Sequence, residues 1–261
     1  MTAGLIPQGR AGAYPLRVVQ KQPRPTSAVL VVGLAGLAVG LVTGAFALLV
    51  LGPLLGLLVL VAAAGTAAAV AWTGSSVVVL RLAAGEPPAL TSAGPARLAN
   101  LVESVSAAVG IPTPALRVVD DPAPNALVTG PDARRATLVV TSGLLEGLDR
   151  LALEAVVAHQ LSIIREGSTR RRDIVVAIVG TGGQLVPALA RLVARGAAAD
   201  EGDDVASLTV TRYPPGLLAA LEAAAAGPEV RTSPVLAPLW FVPPGSSDHL
   251  ALRLETMREL V

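Results

Sequence analysis

From Thr26 to Leu80 the chain carries no charged residue, a run of 55. A helix needs about 20 apolar residues to span a bilayer, so the run accommodates two spanning helices and a turn. Gly52-Pro53 predicts the turn, because proline cannot continue a helix interior and glycine permits the reversal. The spans fall near Ala28 to Leu51 and Leu54 to Thr73. Trp72 then sits at an interface, where an amphipathic ring prefers to be. Gly33, Gly36, Gly40 and Gly44 let the two helices approach closely. Burying such a hairpin inside a soluble protein would need a larger core than 261 residues offer.

Charge is distributed around this run unevenly. The first 25 residues hold Arg10, Arg17, Lys21 and Arg24 and no acid, while the chain from Arg81 onward has 16 basic residues against 19 acidic ones. A secretory signal fits poorly, since the apolar stretch far exceeds an h-region of about 7 to 15 residues. The basic segment predicts a cytoplasmic N-terminus, and two spans return the chain to that side. The expected organisation is a basic segment over 1–25, a transmembrane hairpin over 26–80 and a cytoplasmic domain over 81–261, in the cell membrane.

Composition narrows the function classes. Apolar residues are 52% and charged residues 15%, against a usual charged share of about 25%, which excludes a disordered chain. With no cysteine, disulfide scaffolds, thiolate metal sites and a cysteine nucleophile are excluded. Aromatics at 2% and a net charge of +1 exclude nucleic acid as a partner.

Past the hairpin the pattern is mixed. Pro95 to Val109 has helical spacing (Leu98, Leu101, Val102, Val105, Val109) and stops at Gly110 and Pro112. Ala115 to Val119, Asn125 to Thr129 and Thr137 to Thr141 read as three strands, the last two joined by a Gly130-Pro131-Asp132 turn. Ser142 to Gly147 is a short linker or a single helical turn. Arg150 to Arg165, apolar nearly all round, is the expected central helix. Ile174 to Ala190 is a further uncharged stretch of 17 residues, short for a span, with Arg170 to Arg172 before it and Arg191 and Arg195 after it. It reads as a membrane-dipping or surface-packed pair of helices, with the arginines beside anionic headgroups or in a solvated loop. An acidic stretch, Ala198 to Asp204, a helix at Leu217 to Ala226 and a terminal helix at Arg253 to Val261 follow.

The central segment Leu153-Glu154-Ala155-Val156-Val157-Ala158-His159-Gln160-Leu161-Ser162-Ile163-Ile164-Arg165 resembles the zinc helix of the HtpX-type membrane metallopeptidases, relatives of the CAAX prenyl endopeptidase, whose motif is H-E-x-x-H. Pro124-Asn125-Ala126-Leu127-Val128-Thr129-Gly130 resembles the family's PNAFATG strand. Thr211-Arg212-Tyr213-Pro214, Pro238-Leu239-Trp240-Phe241-Val242 and Arg253-Leu254 match in order. The resemblance covers about residues 75 to 261. It implies an α+β membrane protein: an N-terminal transmembrane helical hairpin, then a zincin-like, mainly helical domain with a small β-sheet.

The chemistry of that family needs two imidazoles at i and i+4, so that both reach one zinc ion from one helix face. It needs a glutamate to take a proton from zinc-bound water, and a third ligand from a later helix. Here His159 keeps the first ligand position. Gln160 stands at the general-base position, and an amide cannot accept that proton. Ile163 stands at the second ligand position, and its alkyl group cannot bind zinc. The resemblance puts the third ligand at Asp200 and the family's later aspartate at Asp204. His249 is the only other histidine, near the C-terminus.

Loss of a general base alone costs typically about 10² to 10⁴ in rate, and His159 with one carboxylate falls short of a catalytic zinc site. The sequence therefore reads as a pseudopeptidase that holds no cofactor and acts by binding membrane-protein or peptidase partners at the bilayer. Asn125, Ala126 and Leu127 are its candidate substrate-binding residues, able to pair with an extended peptide by strand addition. The alternative is an active zinc endopeptidase of membrane-protein quality control with a rebuilt site. A purely structural membrane protein is a third reading, which the residues do not separate from the first.

Overall fold

A computed structural model describes residues 26–83, 93–182, 204, 208–233 and 235–261. The basic segment 1–25, most of the acidic stretch and the end of the 174–190 stretch lie outside the described residues. The uncharged run forms two helices, α1 (Thr26–Leu51) and α2 (Pro53–Ala83). Gly52 makes the reversal at a φ of +87°, a conformation that costs glycine little. The helices touch along their small residues. A Cβ at Gly44 would lie 2.5 Å from that of Leu60, and one at Gly56 would lie 2.8 Å from Leu48 Cα.

The outer faces of this hairpin are apolar. Leu41, Val42, Phe46 and Leu49 of α1 and Leu54, Leu58 and Val61 of α2 are exposed, a continuous surface that a soluble monomer rarely shows. Only 6% of the most apolar window of α2 is buried, so this is not the core helix of a larger globule. Among the described residues α2 is the one helix long and apolar enough to cross a membrane, with a shorter apolar stretch, Gly36–Leu49, in α1. The Thr43 and Thr66 hydroxyls bond back to carbonyls of their own helix, Val39 O at 2.9 Å and Ala62 O at 2.8 Å, and so need no water. The second helix outruns the sequence expectation by ten residues. Ser75 and Ser76 extend it into the domain, where both are buried.

The domain holds α3 (Ala93–Val109), β1 (Ala115–Val119), β2 (Ala126–Thr129), β3 (Thr137–Thr141), α4 (Ser142–Gly147), α5 (Arg150–Arg165), α6 (Thr169–Gly182), α7 (Pro214–Ala226) and α8 (Ser247–Arg258). The sheet order is β1-β3-β2, with β1 parallel and β2 antiparallel to β3. Side chains alternate across the sheet, as a strand period of two requires. Ala126, Val128, Leu138 and Val140 face a core shared with α3 and α5, while Leu127 and Val139 face a second core with Val79, Val176 and Trp240. The central helix α5 begins where expected because the Asp149 carboxylate accepts from Ala152 N at 2.8 Å, an N-cap worth about 1 kcal/mol.

Helix α6 takes in the first part of the 174–190 stretch. Ile174 to Ala177 are buried, and Val176 packs in the second core, so this part joins the domain. One carboxylate joins three elements here. Asp173 Oδ2 accepts from Ser76 Oγ of α2 at 2.7 Å, from Thr129 Oγ1 of β2 at 2.7 Å and from Gly130 N at 2.9 Å. Burial pushes the Asp173 carboxyl up to about 6, against the three hydrogen bonds and the nearby Arg172 charge, which lower it.

Candidate functional site

His159 lies at the middle of α5, fully buried. Its ring meets Phe241 edge-on, 5.0 Å between centroids at 75°. Its Nε2 stands 3.2 Å from Asp204 Oδ1. Asp204 is itself gripped from the far side. Arg253 of α8 donates from Nε to Oδ2 and from Nη2 to Oδ1, each at 2.7 Å, the fork-on-carboxylate geometry that suits guanidinium. Burial alone would raise the Asp204 carboxyl. The contacts with His159 and Arg253 outweigh it and hold the group well below the usual carboxylate range.

The network continues to the sheet. Arg253 Nη1 donates to Phe241 O at 2.7 Å and the guanidinium lies 4.9 Å from the Phe241 ring centre. Phe241 N donates to Ala126 O at 2.7 Å, and Trp240 bridges antiparallel to Leu127. The Asn125 amide holds both sides of Val242, donating to its carbonyl at 2.7 Å and accepting from its N–H at 3.1 Å. Trp240 to Val242 thus form a strap along β2. Asn125, Ala126 and Leu127, the three residues expected to pair with an extended peptide, meet the chain's own strap here.

The other expected site residues are close by. Gln160 is buried beside His159. Its Nε2 lies 3.5 Å from both Ala126 O and His159 Nδ1, and its Oε1 has no hydrogen-bond partner. Ile163, one turn on, is 1% exposed and packed into the main core. Asp200 lies outside the described residues, and His249 is on α8, partly exposed. The donors described do not fit a zinc ion. No three His, Cys, Asp or Glu side chains are grouped among the described residues. Ile163 offers no lone pair, Gln160 offers an amide, and the carboxylate nearest His159 is committed to Arg253.

Two buried charged residues leave little mark in the sequence: Arg253 of the His159 network, visible only as a positional match, and Asp173 of the separate cluster with Ser76, Thr129 and Gly130. Asp173 follows three arginines, so it reads as part of a surface charge run. Asp204 is legible only through the resemblance, as the family's later aspartate.

The site thus sets His159 at the centre of a helix packed on the sheet and faces it with an acidic residue from a later segment. The model of Peptidase family M48 matches residues 92–225, from just before α3 to the end of α7. The chain belongs to this family, within its HtpX-type metallopeptidases. It is similar to proteins named Protease HtpX homolog. That of Dictyoglomus turgidum is 35% identical over 195 residues, covering 61% of this chain and 64% of the relative. That of Dictyoglomus thermophilum is 49% identical over 83 residues, covering 32% and 27%. That of Tropheryma whipplei is 38% identical over 117 residues, covering 45% and 40%. The chain thus spans less than two thirds of the length of each of these relatives. No solved structure matches.

Proposed function

We propose that this chain is a membrane-anchored member of the HtpX-type family that no longer hydrolyses peptides and acts by binding membrane-protein or peptidase partners. The observation that carries the reading is the surroundings of His159. An amide stands where the base must accept a proton, an alkyl group stands where the second imidazole must reach the metal, and Asp204 is held by Arg253. The zinc chemistry of the family has no donor set among the described residues.

Anchoring follows from the hairpin. Its outward apolar faces match a hydrocarbon environment, and the four basic residues before it favour a cytoplasmic N-terminus and domain in the cell membrane, by the positive-inside rule. At the domain the strap covers the edge of β2 at Ala126 and Leu127. A partner strand pairing there has to displace it.

The test is a cleavage assay on the full chain in detergent, with an unfolded membrane-protein substrate and added zinc. The native protein is expected to leave the substrate intact, and a Gln160→Glu/Ile163→His variant to gain zinc-dependent cleavage above it. Chelator-sensitive cleavage by the native protein would establish the active-peptidase reading instead.

A further inference from the structure

Helix α2 changes character at Trp72. From Pro53 to Ala71 its exposed large side chains are apolar, among them Leu54, Leu58, Val61 and Val70. That length is about 28 Å at about 1.5 Å per residue, close to a hydrocarbon core of about 30 Å. Beyond Trp72 one face turns into the domain through Ser75, Ser76, Val79 and Ala83.

Cationic side chains gather at this boundary. The Arg170 guanidinium lies over the Trp72 ring, 4.4 Å from its centre. Its Nε donates to Pro131 O at 2.8 Å, which ties the turn after β2 to the same level. That turn carries Arg134 and Arg135, both exposed, with Arg135 paired to Asp132 at 2.6 Å. Arg171 is exposed as well. Arg170 meets Trp72, and Asp173 meets Ser76. Three residues along α6 thus match four along α2, so the two helices run side by side in the same sense, and α6 leads away from the apolar half. Its basic first turn is the end nearest the hairpin.

We infer that Trp72, Arg134, Arg135, Arg170 and Arg171 form a collar that seats the domain on anionic phospholipid headgroups. The inference rests on the membrane-anchored reading. It adds a bilayer level and a lipid class. Guanidinium donates in pairs to phosphate oxygens. Anionic lipid attracts basic residues within a Debye length of the surface, and an indole settles at headgroup depth. Arg135 is the collar arginine that pairs with Asp132.

The test uses the full chain in phosphatidylcholine vesicles containing spin-labelled phosphatidylglycerol or spin-labelled phosphatidylcholine. The lipid shell of the native protein is expected to favour phosphatidylglycerol by about fivefold, and to lose that preference in high salt and in an Arg134→Gln/Arg171→Gln variant. The fluorescence lost in Trp72→Phe is expected to be quenched best by labels at headgroup depth. Equal association of the two lipids at low salt, or strongest quenching near the bilayer centre, overturns the collar. Release of the chain by alkaline carbonate defeats the anchored reading itself, and the collar with it.

Discussion

Arg253 grips both oxygens of Asp204 at 2.7 Å across 49 residues of sequence, and one of those oxygens faces His159 Nε2 at 3.2 Å. The histidine that would begin a zinc site is thus one end of a buried charge network. The other end reaches the Phe241 carbonyl, and through the strap it reaches β2. The site region has become part of what holds α5, α8 and the sheet together.

Breaking the buried pair is expected to be costly. Arg253→Met leaves the Asp204 carboxylate without its guanidinium, a change of about 3 to 5 kcal/mol. Thermal unfolding of the detergent-solubilised protein measures it, and an unchanged midpoint would contradict the network. Pairing Arg253→Met with Asp204→Leu is expected to recover much of the loss, because neither charge is then buried alone. Since Asp204 is held well below the usual carboxylate range, its contribution persists as pH falls through about 4 and is lost only in stronger acid.

Asp173 has the opposite sign. Its folded value of about 6 lies above the unfolded value of 3.8, so the folded state holds the proton more tightly. The stability it contributes is present below about 4 and is lost as pH rises through about 6, an effect of about 3 kcal/mol at most. Asp173→Asn keeps an acceptor for Ser76, Thr129 and Gly130. The variant is expected to match the native protein near pH 4 and exceed it in stability at pH 7.5. A constant difference across that range would rule out titration of Asp173.

Gly44→Val tests the hairpin. Its Cβ would press on Leu60 Cβ at 2.5 Å, and overpacking of this kind costs about 1 to 3 kcal/mol. The same change at Gly65, where a Cβ meets nothing within 4 Å, serves as the control. Equal unfolding temperatures for the two variants would show that the helices do not pack through Gly44.

Asn125→Ala removes the amide that holds Val242 on both sides and accepts from Ala126 N. The strap is expected to open more often, seen as faster hydrogen exchange at Trp240 to Val242 with α3 unaffected. Unaltered exchange there would mean that the Phe241 and Trp240 pairings with β2 hold the strap without the amide.

Much of this was legible in the sequence. Uncharged length and Gly52-Pro53 place the two helices of the hairpin, and unbroken apolar spacing places α5 at Arg150 to Arg165. The strands follow from β-branched runs between turn residues. What escaped depends on partners far along the chain. Ser75 and Ser76 look like the end of a span until Asp173, 97 residues after Ser76, accepts from the latter. The parallel pairing of β1 with β3 leaves no local mark. The departures from the family motif at Gln160 and Ile163 are plain from residue type alone, whereas the network around His159 needs Arg253 brought back from α8.

The most direct test of the central claim is the zinc content of the detergent-purified full chain, by elemental analysis, beside the Gln160→Glu/Ile163→His variant. The account predicts a native protein essentially free of zinc and a variant that takes up about one zinc per chain, the number such a site holds. One zinc per native chain would contradict it, and would mean that His159 works with ligands other than those assigned here.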